Sequence, residues 1–109
     1  MAVGGKRKIT SAEVSSFCSQ VGLILNAGLP LYDGMETLAE TAKDSEYADL
    51  YQSVSQGVNE TGSLYEAMKR DERWPGYLVE MTGIGEQTGQ LEKVMTSLAD
   101  YYDRETHIR

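Results

Sequence analysis

The sequence is poor in the residues that carry metal, redox or disulfide chemistry. Cys18 is its one cysteine, so no disulfide can close within the chain. That usage suits a reducing compartment such as the cytosol. With His107 as the one histidine and no C-x-x-C, a closed zinc site has too few ligands. Positive charge is scarce as well: 10 Lys and Arg stand against 17 Asp and Glu, for a net charge of -7. The body of the chain therefore lacks the basic patch that nucleic acid or an anionic membrane surface requires, and no nucleic-acid partner is expected. Its only basic cluster is Lys6-Arg7-Lys8, behind Gly4 and Gly5. Residues 1–9 are assigned on this basis as a flexible basic tail, ahead of one domain over 10–109. Long apolar runs are missing too. The longest, Val21 to Leu25, is broken by Gly22 and ended by Asn26, far short of the roughly 18 residues a spanning helix needs. No signal-peptide pattern is present, and no segment alternates with period two, which argues against a sheet.

What the chain does have is helical periodicity, cut into short pieces by glycine and proline. Thr10 followed by Glu13 has the form of a capping box, and Val14, Phe17, Cys18, Val21, Ile24 and Leu25 then share one helix face. Gly28 supplies a left-handed stop, and Pro30 opens a second helix carrying Leu31, Met35, Leu38, Ala39 and Ala42. A third stripe runs Tyr47, Leu50, Tyr51, Val54 and Val58, stopping at Gly62. Ser63 with Glu66 is a second capping box, before a short helix through Leu64, Ala67 and Met68. Pro75 opens a fifth helix with Leu78, Met81 and Ile84, closed by Gly89, and the sixth carries Leu91, Val94, Met95, Leu98 and Tyr101 or Tyr102. The expected fold is all-α: a six-helix bundle built from three helix hairpins.

The segment Gly83-Ile84-Gly85-Glu86-Gln87-Thr88-Gly89-Gln90-Leu91 invites comparison with a phosphate-binding loop. Its glycines are spaced G-x-G-x-x-x-G, and no strand precedes it, so the dinucleotide fingerprint is not met. Gly89 is instead expected to end one helix and start a reversal. Gly83 and Gly85 each cost roughly 1 kcal/mol relative to alanine inside a helix, a cost usually retained for close helix approach. Glu86 has apolar neighbours, so it is expected to act as a structural clamp, with Gln20 or a backbone amide of another helix as its partner. Cys18 lies mid-stripe, where a thiolate is disfavoured, so pairing with His107 as nucleophile and base is rejected. Of the clustered carboxylates, Glu86, Asp100 and Asp103 are the candidate ligands for a divalent cation such as calcium. No EF-hand pattern supports them, solvated faces are the commoner reading, and no other cofactor is expected. Tyr32, Tyr47, Tyr65 and Tyr77, near helix starts or corners, are candidate interface anchors where exposed.

Taken in order, three blocks resemble a cytoplasmic domain of the type II secretion system F family, the inner-membrane platform proteins of type II secretion and type IV pilus machines. Phe17 to Leu31 is similar to F-x-x-Q-L-x-x-L-L-x-A-G-x-P-L, through Phe17, Gln20, Gly28, Pro30 and Leu31. Val58 to Met68 is similar to V-x-x-G-x-S-L-x-x-A-L, through Gly62 and Leu64. Trp74-Pro75 and Met81 to Tyr102 resemble F-P … M-x-x-x-G-E-x-T-G-x-L … L-A-x-Y-Y, through Pro75, Gly85, Glu86, Gly89, Leu91 and Tyr101. Ser19 stands where the family often has arginine, and Trp74 replaces its phenylalanine.

The resemblance implies a non-enzymatic docking module on the cytoplasmic side of the bacterial inner membrane, held there by segments absent from this chain. It resembles the first of two such domains. Implied partners are a hexameric assembly or secretion ATPase, other inner-membrane assembly proteins, and pilin or pseudopilin, with a homodimer as a further expectation. The competing reading is a soluble cytosolic helical adaptor with no membrane link.

Overall fold

A computed structural model describes residues 8–107. In chain order its helices are α1 Ser11–Asn26, α2 Leu31–Thr41, α3 Ala48–Thr61, α4 Leu64–Lys69, α5 Gly76–Thr88 and α6 Leu91–His107. No strand occurs among the described residues, so the protein is all-α.

The helix ends follow from local chemistry. Thr10 Oγ1 accepts from the Glu13 amide at 3.2 Å, and Ser63 Oγ accepts from the Glu66 amide at 3.0 Å. Only that half of each expected box forms. The Glu13 carboxylate instead accepts from the Tyr51 hydroxyl at 2.7 Å, and the Thr10 amide donates to the Tyr47 hydroxyl at 3.2 Å. Pro30 and Pro75 occupy the cap positions of α2 and α5, one residue ahead of the helical turn. Gly28, Gly62 and Gly89 all take positive φ, near +70° to +75°, which lets the chain turn off each helix without a Cβ clash.

Consecutive helices pack on one another from α2 through α6, which is compatible with three hairpins. The most extensive contact, however, joins the first helix to the last: α1 lies along α6, whereas α1 and α2 touch only slightly. Asn26 Nδ2 donates to Glu92 Oε2 at 2.8 Å, and Ser15 Oγ donates to the Ala99 carbonyl at 2.8 Å, fixing both ends of that pair.

The core draws on all six helices. Phe17 of α1 packs 4.7 Å from the Trp74 ring and 5.7 Å from Tyr51, ring centre to ring centre. The same core cluster holds Leu50, Leu64, Met68, Leu78 and Met95, all fully buried. Met35 and Met68 are wholly enclosed as well, so these methionines fill core space. Among the described residues, Trp74 Nε1 is buried with no acceptor.

Of the stretch assigned to the basic tail, residues 1–7 lie outside the described residues. Lys8 Nζ donates to the Glu72 carbonyl at 2.7 Å. Ile9 is buried, and its amide donates to the Arg73 carbonyl at 3.3 Å, so core packing begins before Thr10.

Candidate functional site

The segment from Gly83 to Leu91 forms the last turns of α5, the reversal and the first residue of α6. At the corner, the Gln90 amide donates to the Gly85 carbonyl at 2.8 Å and the Gly89 amide to the Glu86 carbonyl at 3.4 Å. These are the paired bonds of a Schellman turn, with Gly89 at the left-handed position. A Cβ on Gly85 would come within 3.1 Å of Val94 and 3.2 Å of the Leu91 backbone, so its hydrogen is what lets α6 fold back closely. At Gly83 a Cβ would lie 2.8 Å from the Tyr65 ring, which rests on the bare backbone. The two mid-helix glycines thus permit contacts on opposite neighbours, α6 and α4.

Gly85 also sets which face of α5 turns inward. The buried row is Leu78, Thr82 and Gly85, while Ile84, read from periodicity as part of the stripe, is 49% exposed. Residues at i, i+4 and i+7 share a face, and the close approach at Gly85 places that face on the core. Thr82 is tolerated there because its hydroxyl donates to the Leu78 carbonyl at 2.7 Å.

Glu86 reaches from α5 to the start of α4. Its Oε1 accepts from Ser63 Oγ at 2.6 Å, and its Oε2 accepts from the Leu64 amide at 2.6 Å and the Tyr65 amide at 3.4 Å. The Ser63 hydroxyl is thereby shared, accepting from Glu66 while donating to Glu86. A carboxylate at this end of a helix meets unpaired amides and the positive end of the peptide dipoles. The expected clamp is present, with backbone amides as partners. Gln20 is not one of them: its side-chain amide donates to Ser16 Oγ within α1, at 3.0 Å.

The other motif residues divide between core and corners. Phe17 and Leu64 are buried, Leu31 and Leu91 pack at the core edge, and Tyr101 is exposed while Tyr102 is buried. The Tyr101 ring leans on Tyr77, itself exposed, at 5.0 Å. Tyr32 is exposed as well, whereas Tyr47 and Tyr65 are half-buried.

The ionisable side chains of Cys18 and Tyr51 lie in the core. Burial pushes the Cys18 thiol up to about 12, well above its ordinary value. Tyr51 is raised too, first by burial and then by its bond to Glu13. The candidate cation ligands do not come together with a third group. Glu86 is turned to α4, Asp100 and Asp103 stand on the exposed side of α6, and Asp103 lies 3.6 Å from His107. Among the described residues, no three His, Cys, Asp or Glu side chains converge.

The periodicity missed one buried ionic site. Arg73, between α4 and α5, is 7% exposed and grips Asp71 and Asp49, with its shortest contacts at 2.7 and 2.9 Å. These bonds, Asp71 first and Asp49 second, raise the affinity of the guanidinium for its proton. The sequence signal was an arginine two residues after an aspartate, next to the Trp74-Pro75 pair.

These features define a helical scaffold domain in which the most distinctive segment builds a corner and locks two helices together. The family described as type II secretion system (T2SS), protein F, matches residues 17–109, and the chain belongs to that family. Over 96 residues it is 31% identical to the type IV pilus assembly protein PilC of Myxococcus xanthus, covering 84% of this chain and 22% of that protein. Over 105 residues it is 28% identical to the type II secretion system protein F of Aeromonas hydrophila, covering 95% of this chain and 27% of that protein. A type IV pilus assembly protein PilC of Pseudomonas aeruginosa matches at 23% identity over 97 residues, 89% of this chain and 26% of that protein. The chain thus spans about a quarter of the length of these relatives. No described helix is long and apolar enough to cross a membrane.

Proposed function

We propose that this chain is a helical docking domain of an inner-membrane platform protein for type IV pilus assembly or type II secretion. It faces the cytoplasm, binds the hexameric assembly ATPase and couples it to pilin or pseudopilin subunits, and its own role is non-enzymatic. The observation that carries this reading is the family match over residues 17–109, whose most specific segment serves architecture: Glu86 locks α4 and Gly89 turns α5 into α6. A rigid body with fixed corners suits a part that transmits force between partners. The thiol of Cys18, held protonated in the core, supports the absence of nucleophilic chemistry. The exposed rings of Tyr32, Tyr77 and Tyr101 support a docking role, since surface aromatics are frequent binding anchors.

The test uses the full-length gene in its own bacterium. The tagged platform protein is captured from solubilised membranes, and the assembly ATPase is expected to co-purify with it. Deleting residues 17–107, at matched membrane levels of the protein, is expected to remove the ATPase from the eluate. Undiminished co-purification would overturn the docking role of this domain.

A further inference from the structure

Beside the Glu86 lock, α4 and α5 border an open groove of about 530 Å³. Its floor is apolar, formed by the Tyr65 ring lying on Gly83 and by Ile84, a residue 49% exposed. Its rim is anionic, carrying Glu66, Glu80 and Glu86. Glu86 is committed to Ser63 and the α4 amides. Glu66 lies 3.8 Å from Lys69, whose ammonium also sits 4.8 Å over the Tyr65 ring. Glu80 is exposed and makes no ion pair within the described residues. Lys69 demonstrates the chemistry on one side of the ring: a long aliphatic stem, an aromatic face and a carboxylate together hold a cation.

We propose that this groove receives a lysine or arginine side chain from a basic segment of a partner protein, with its aliphatic stem over Ile84 and its charged head at Glu80. Charge complementarity selects the occupant. Glu66, Glu80 and Glu86 face the groove, Lys69 is the cation beside them, and the whole chain carries -7. A purely apolar segment would strip water from Glu80 without replacing it, and an acidic one would be repelled. The shallow apolar floor suits a side-chain stem better than a whole helix face. A second groove, lined by Tyr77, Met81, Lys93, Val94 and Tyr101, has Lys93 as its one charged residue, so it offers a basic segment no carboxylate. The proposal rests on the docking reading above and deepens it by naming the surface and the chemistry of the partner segment.

The 109-residue chain, labelled with nitrogen-15, is titrated with the capped peptide acetyl-Gly-Arg-Leu-Lys-Gly-amide and with its counterpart in which both cations are glutamine. Shift changes are expected at the amides of Tyr65, Gly83, Ile84 and Gln87 with the basic peptide and not with the neutral one. Glu80→Lys is expected to weaken binding about tenfold, and Glu36→Lys, an exposed charge reversal on α2, less than about twofold. Shifts spread over all acidic surfaces, equal losses in the two variants, or no shift at all would overturn the groove. That failure is distinguishable from failure of the platform reading, because ATPase co-purification is measured independently of where this peptide binds.

Discussion

Glu86 accepts three hydrogen bonds from one turn of a neighbouring helix, and each donor there would otherwise lack a partner within α4. Glu86→Gln keeps the shape but removes the charge and leaves one accepting oxygen where the carboxylate has two. Hydrogen bonds to charged groups contribute about 1.5–3 kcal/mol, so this change is expected to lower stability by about 2 kcal/mol. Urea unfolding followed by the fluorescence of Trp74, the sole tryptophan, reads the change directly. An unaltered midpoint would mean that the lock contributes nothing to the fold. The motif made Glu86 legible as a clamp, because a carboxylate among glycines and apolar neighbours must find donors. The partner was only half legible, since periodicity places residues on faces and says nothing about which distant helix end arrives opposite. Arg73 shows the same limit. Its pairing with Asp71 is local, but Asp49 arrives from α3, and no pattern in the sequence joins them. Arg73→Met is expected to destabilise by about 2 kcal/mol, below the 3–5 typical of a broken buried pair, because Asp49 is about half exposed and rehydrates readily.

At the scale of the helices, glycine separates into two uses, and the sequence marked one better than the other. Gly28, Gly62 and Gly89 fell where the apolar stripes stop, and there the backbone turns left-handed. Inside helices, the reason for a glycine lies on the neighbouring element. A Cβ on Gly57 of α3 would meet the Ala67 side chain of α4 at 2.6 Å and its Cα at 2.9 Å. Backbone cannot move aside as a flexible side chain can, so Gly57→Ala is expected to destabilise by about 2 kcal/mol despite the roughly 1 kcal/mol that alanine adds to helix propensity. Gly76 provides the contrast, for nothing lies within 4 Å of the position its Cβ would take. Gly76→Ala is expected to stabilise by about 0.5 kcal/mol through the unfolded chain. Thermal unfolding of the two variants should therefore move in opposite directions. The misplacement of Ile84 has the same origin: hydropathy assigned that large side chain to the core, whereas Gly85, with none, allows the close contact that turns α5.

Across the whole molecule, the contact between α1 and α6 makes the fold cooperative, because the two ends of the described chain must meet before either helix is covered. That closure was not legible in the hairpin pattern, which pairs neighbours in sequence. It encloses Cys18, fully buried on α1, and this turns the global stability into a function of pH. The folded thiol titrates at about 12 because burial disfavours the thiolate, against an ordinary value of 9.0 once the chain is unfolded. Below about 9 both states are protonated and the stabilising contribution is fully present. As pH rises from about 9 towards 12, the unfolded state loses its proton first, so this contribution to folding stability is lost over that window. Tyr102, also raised to about 12 by burial, adds loss of the same sign above its ordinary value of 10.0. Urea midpoints of the wild type and Cys18→Ala, measured at about pH 7.5 and pH 10, isolate the thiol. Alanine costs packing at both values, but the wild type is expected to lose more stability between them, by up to about 1.4 kcal/mol for each pH unit beyond the unfolded value. Equal losses would mean that the thiol titrates alike in both states and that water reaches it inside the α1–α6 contact.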